Sequence, residues 1–94
     1  MPAELSSATA ASVASSASST KLFAADASTS TNGRAVFNDS TAVLYLKFGA
    51  TASVTSYTVQ IAPGGYYEFP LPLYDGEVDG IWASANGYAR LTSW

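Results

Sequence analysis

Residues 6–20 contain only Ala, Ser and Thr apart from Val13, whereas all twelve aromatic residues, two Trp, six Tyr and four Phe, lie from Phe23 onward. The first stretch has almost no apolar side-chain area to bury. The remainder carries more aromatic surface than so small a domain readily hides. Without the biased stretch, the 94-residue chain shrinks to a length at which a lone core is marginal unless disulfides, metals or neighbouring subunits support it. The chain contains no cysteine, which excludes disulfides. The sequence therefore predicts a low-complexity arm over residues 1–20, a domain over residues 21–94, and assembly with other chains.

The missing residue types narrow the chemistry further. With no His and no Cys, the commonest general base, the thiol nucleophile and the usual zinc ligands are all gone, so no enzyme and no cofactor is expected. The basic residues Lys21, Arg34, Lys47 and Arg90 are scattered singly within a formal net charge of −3, a poor footprint for phosphate backbones. No nucleic-acid partner is expected. No apolar run reaches transmembrane length, and Met1-Pro2-Ala3-Glu4 lacks a basic region followed by an apolar one, so neither a membrane partner nor a secretory signal is predicted.

The arm has three open destinations. Alanine permits a weak helix, but serine competes for the backbone and no apolar stripe exists to dock one. Small polar side chains do not offset an ordering cost of about 1–2 kcal/mol per residue, which predicts a mobile tail. Alternatively the arm orders on a neighbouring subunit, where small side chains allow close backbone approach and strand addition.

Beyond Gly33 the composition shifts to β-branched and aromatic residues interrupted at short intervals by turn formers. Strands are predicted over residues 34–38, 42–48, 54–61, 66–69, 78–84 and 88–92. Within 42–48, Leu44, Leu46 and Phe48 alternate with Val43, Tyr45 and Lys47; within 54–61, Tyr57, Val59 and Ile61 share a face. Asn32-Gly33, Asn38-Asp39-Ser40, Ala62-Pro63-Gly64-Gly65 and Asn86-Gly87 supply the turns, the last predicting an adjacent antiparallel pair. Pro70 and Pro72 confine their segment to an edge or a crossing between sheets. The fold class read from this pattern is all-β, a small antiparallel β-sandwich or flattened barrel with an extended Ala/Ser-rich N-terminal arm.

Two constellations merit a chemical reading. Asp75, Glu77 and Asp79 alternate before Gly80 as in part of a calcium loop, but Asn86 occupies the closing position. A solvated acidic turn is the expectation, with no metal site. Tyr66, Tyr67, Tyr74, Trp82, Tyr88 and Trp94 form the second group. Consecutive Tyr66 and Tyr67 cannot both face inward from a strand, and the same parity separates Ile81 from Trp82. Core packing, a subunit interface and a sugar-binding platform all remain open for these rings.

The segments Asn38-Asp39-Ser40, Leu44-Tyr45-Leu46-Lys47-Phe48-Gly49, Tyr57 through Glu68, Gly80-Ile81-Trp82 and Asn86-Gly87-Tyr88-Ala89-Arg90 resemble those of small structural proteins of tailed bacteriophages. The Ala/Ser arm lies outside the resemblance. The resemblance implies a virion protein made in the host cytoplasm, a short β-domain that decorates or cements the head, commonly as a homotrimer bound to the major capsid protein. On this reading Ser6, Ser12, Val13, Lys21, Leu22 and Phe23 meet the capsid shell, and Tyr45, Trp82 and Tyr88 form subunit contacts. A carbohydrate-binding adhesion module, or a minor tail, collar or fibre component, is the alternative.

Overall fold

A computed structural model describes residues 7–26 and 31–94, and every regular element among them is a strand. The strands are β1 (Thr9–Ala14), β2 (Thr20–Phe23), β3 (Arg34–Asp39), β4 (Leu44–Phe48), β5 (Val59–Ile61), β6 (Tyr66–Glu68), β7 (Val78–Trp82) and β8 (Tyr88–Ser93). They form two antiparallel four-stranded sheets, ordered β1-β8-β3-β6 and β2-β7-β4-β5. The expected all-β sandwich is the fold.

Period-two alternation turns one face of each sheet inward. Val36, Ala89 and Leu91 from the first sheet meet Leu22, Leu44, Leu46, Ile61, Val78 and Trp82 from the second. At one end of this core an aromatic stack continues it, with Phe48 lying 4.9 Å from Phe69 and 4.8 Å from Tyr74 between ring centroids. Arg34, also buried, closes that end. Its guanidinium sits 4.8 Å over the Phe23 ring and donates to the carbonyls of Ala24, Tyr74, Asp75 and Gly76. Burial pulls its pKa below the ordinary value, opposed by the nearby Asp75 and Asp26 carboxylates.

Residues of the predicted arm join this fold. β1 runs antiparallel to β8 in unbroken register from Thr9 opposite Ser93 to Ala14 opposite Tyr88. The chain then crosses to the second sheet, where β2 pairs with β7, so the boundary expected at residue 20 falls at the start of a core-forming strand. Backbone hydrogen bonds from Ser15 to the Gly87 carbonyl and from Trp82 to the Ser16 carbonyl fasten the crossing. Strand addition, expected on a neighbouring subunit, is satisfied within the chain for these residues.

Several local expectations give way to the sheet order. The connection between β7 and β8 is not a hairpin within one sheet, because β7 pairs with β2 and β4 while β8 pairs with β1 and β3. The Asn86-Gly87 turn carries the chain between sheets instead, and a Cβ on Gly87 would run into the Asp39 carbonyl and Ser40. Likewise β6 pairs with β3 rather than with β5, its neighbour in sequence. The turn itself forms as expected, with Gly64 at φ +74° and the Gly65 amide donating to the Ala62 carbonyl at 2.8 Å. Asn32-Gly33 prolongs β3, since Gly33 and Trp94 exchange backbone hydrogen bonds. The first half of the strand predicted over 54–61 is a turn held by Ser53 and Ser56, whose hydroxyls accept from the Thr55 amide and the Lys47 ammonium.

Asn38 locks these crossings at the opposite end from the aromatic stack. It is 0% exposed, and its side-chain amide donates to the carbonyls of Ala42 at 2.8 Å and Ile61 at 2.9 Å. Its Oδ1 accepts from the Trp82 indole at 3.1 Å and the Ser40 hydroxyl at 2.7 Å. The backbone of Asn38 also pairs with the Gly64 amide and the Gly65 carbonyl. One side chain thus joins the β3–β4 turn, the β5–β6 turn and the central tryptophan.

Candidate functional site: the outer face of the first sheet

Register across the first sheet aligns Ser12, Arg90, Phe37 and Tyr66 in one row over its four strands. The next row brings Ala14, Tyr88 and Asp39 together, and the row on the other side holds Ala10, Thr92, Ala35 and Glu68. Because Val36 and Asn38 point into the core, Phe37 and Asp39 must point out; Ala89 and Leu91 set Tyr88 and Arg90 outward in the same way. Phe37, Tyr66 and Tyr88 are 38%, 62% and 45% exposed, an aromatic face that the fold leaves uncovered.

Arg90 organises the centre of the face. Its Nε and Nη2 lie 2.9 and 2.8 Å from Asp39 Oδ2, and its Nη1 donates to Ser12 Oγ at 2.9 Å. Its guanidinium carbon sits 4.6 Å from the Tyr88 ring centroid. An exposed ion pair of this kind adds little stability, but two partners and a ring hold the guanidinium in one orientation. Tyr66 donates its hydroxyl to Glu68 at 3.3 Å. Its phenol is raised above the ordinary value, by reduced solvation first and then by the Glu68 carboxylate. The face therefore offers rigid apolar rings flanked by a fixed cation, two carboxylates and hydroxyls.

Of the residues expected at subunit contacts, Tyr88 lies on this face. Tyr45 sits half-buried on the outer side of the second sheet, its ring 5.1 Å from Tyr57, whose hydroxyl accepts from Gln60. Trp82 is 1% exposed and belongs to the core; parity places Ile81, not Trp82, toward the surface. The residues expected against a shell divide as well. Ser12 and Val13 belong to β1, while Leu22 is buried and Phe23 packs edge-on to Phe69, so both are core residues rather than parts of a free arm. Lys21 is exposed 4.0 Å from Glu77. Ser6 lies outside the described residues.

Phe37 and Arg90 escaped sequence reasoning as site residues. The usable signal was alternation around Val36 and around Ala89 and Leu91, which determines their direction once those strands are paired. The acidic segment also differs from a solvated turn. Asp79 is buried in β7, where its Oδ2 accepts from Ser19 at 3.2 Å. Glu77, beside it, has its carboxyl raised by a hydrogen bond with Asp79, by reduced solvation and by the Asp79 charge, against the opposing pull of Lys21. Among the described residues no three acidic side chains gather to hold a metal ion.

No protein-family model, curated protein or solved structure matches this chain.

Proposed function

We propose that this chain is a non-catalytic structural protein of a bacteriophage virion that decorates the outside of the assembled head through the outer face of its first sheet. The observation that carries the reading is the uncovered aromatic face around Arg90. Rigid Tyr and Phe rings beside an arginine fixed by Asp39 and Ser12 are the side-chain types that dominate protein interfaces. The bacteriophage resemblance supplies the partner, the major capsid protein. Stabilisation follows by mass action, since a protein that binds only the assembled lattice lowers the free energy of that state. Attachment of an oligomer at several points converts weak contacts into avidity.

Titration of the purified protein onto heads that lack it tests the reading. The wild type saturates the heads at a fixed ratio to the major capsid protein. The Tyr66→Ala/Tyr88→Ala variant binds about a hundredfold more weakly, a loss of about 2–3 kcal/mol, while its melting temperature stays unchanged because both rings are exposed. Saturation at wild-type concentrations by the variant refutes the face as the contact surface.

A carbohydrate-binding role on a fibre is a second reading, favoured by the three exposed rings with Asp39, Glu68 and Arg90 beside them. It predicts that heads do not bind and that retention on an immobilised polysaccharide is lost in the same double variant.

A further inference from the structure

We propose that the free edge of β1 is a pairing edge, and that its occupant is β1 of a second copy of this chain. Among the described residues the two sheets have four edge strands, β1 and β6 in the first, β2 and β5 in the second. An edge strand leaves a row of backbone donors and acceptors open to any extended chain, and natural sheets blunt such edges with charge, proline, bulges or brevity.

Three of the four edges carry these devices. β6 is three residues long and is followed closely by Pro70 and Pro72. β5 is also three residues long, with Pro63 two positions beyond it. β2 has a register shift between Lys21 and Phe23 and the charge of Lys21 itself. β1 has none of them. Its six residues, Thr-Ala-Ala-Ser-Val-Ala, contain no charge and no proline, and they hold one unbroken register along β8. Ser12 is further tied to Arg90, and Ser15 to Gly87, so the edge is presented as a formed strand rather than as a loose tail.

The character of the edge selects its occupant. An uncharged strand has nothing with which to attract a charged partner segment, and it meets no like-charge repulsion from its own copy. Antiparallel pairing about a two-fold axis perpendicular to the sheet is self-complementary and closes after two chains, which prevents open-ended growth. Such an axis keeps outer-facing residues opposite outer-facing ones, so it passes through Ala11 or Ser12. With the axis at Ala11, Ala10 opposes the second copy's Ser12; with it at Ser12, Ala10 opposes the second copy's Ala14. Either register joins two four-stranded sheets into one of eight strands. It also sets both aromatic faces on the same side, with the two Arg90 groups flanking the seam.

Sedimentation equilibrium on the full chain, from micromolar to submillimolar concentration, tests this. The expected result is a reversible dimer of the 9.7 kDa chain. Ala10→Lys/Ala14→Lys, two exposed positions that would bring four lysines to the seam, should weaken the dimer at least about tenfold with an unchanged far-UV spectrum. Single Ala11→Pro and Ser12→Pro variants cover the case in which the lysines act in another way. Successive strand residues point their amides to opposite sides, so one proline removes a donor to β8 and lowers the melting temperature, while the other removes an outward donor and weakens the dimer alone. A wild type that stays monomeric at the highest concentration overturns the proposal. A trimer does so too, as does a dimer that all three variants leave intact.

Discussion

Asn38 shows how much of this fold rests on one polar side chain. Five hydrogen bonds converge on its amide from the β3–β4 turn, the end of β5 and β7: the Ala42, Ile61 and Ala62 carbonyls, the Ser40 hydroxyl and the Trp82 indole. A buried network of this kind is secure while every member is satisfied and costly when one is removed. Asn38→Leu fits a similar volume but takes the side-chain partner from the buried Ile61 carbonyl and the Trp82 indole N–H, while the Ser40 hydroxyl still serves the Ala42 carbonyl. With about 1–3 kcal/mol for each orphaned group and partial relaxation, the expected loss is about 4 kcal/mol in urea unfolding. A loss below about 1 kcal/mol would show that the network is incidental to stability. Asn38 stands out in the sequence only as the start of an Asn-Asp-Ser turn, a role any good turn former fills. Nothing local reveals that its amide reaches residues far along the chain.

At the scale of elements, the β2–β7 seam carries a pH dependence. Glu77, with Asp79 and Lys21 beside it, has its folded pKa raised, first by its side-chain interaction with Asp79, then by reduced solvation, against the pull of Lys21. The folded state therefore holds a proton at pH values where the unfolded chain has released it. That contribution is complete below the ordinary carboxylate pKa and is lost as pH rises through the folded value. The wild-type melting temperature should consequently fall more steeply as pH rises above the ordinary carboxylate pKa than that of Glu77→Gln, whose side chain carries no titrating proton. Parallel profiles would remove Glu77 as the cause. The elements themselves were largely legible. Alternation placed Leu44 and Leu46 inward, and Pro63-Gly64 and Asn86-Gly87 marked real reversals of the chain. Pairing was not legible, because turn chemistry determines where a chain reverses and not which sheet it re-enters. The strand Thr9–Ala14 was hidden for a related reason: its side chains bury almost nothing, so its place is set by backbone pairing to β8, which leaves no hydrophobic period. The same limit divided the site, with Tyr88 found on the outer face, Phe37 and Arg90 missed, and Trp82 assigned to the wrong side.

Among the described residues, consecutive strands almost always lie in opposite sheets, and only β4 and β5 are neighbours both in sequence and in a sheet. Neither sheet is therefore a local product of its own stretch of chain. The first needs residues from Thr9 through Ser93, and the second needs residues from Thr20 through Trp82. The core lies between them, so peeling one sheet from the other would expose Trp82, Leu44, Leu46 and Val36 together while breaking the bonds through Asn38. An intermediate with one intact sheet gains no compensation for that exposure. Unfolding should be a single transition, with folding slowed to the millisecond-to-second range typical of non-local β topologies. The measurement uses a Trp94→Phe background, so that fluorescence reports Trp82 at the sheet–sheet contact while far-UV circular dichroism reports the strands. Coincident midpoints are expected in both thermal and urea denaturation. An earlier fluorescence change would mean that the sheets separate before they unravel, and would make the Asn38 crossings a hinge rather than a lock.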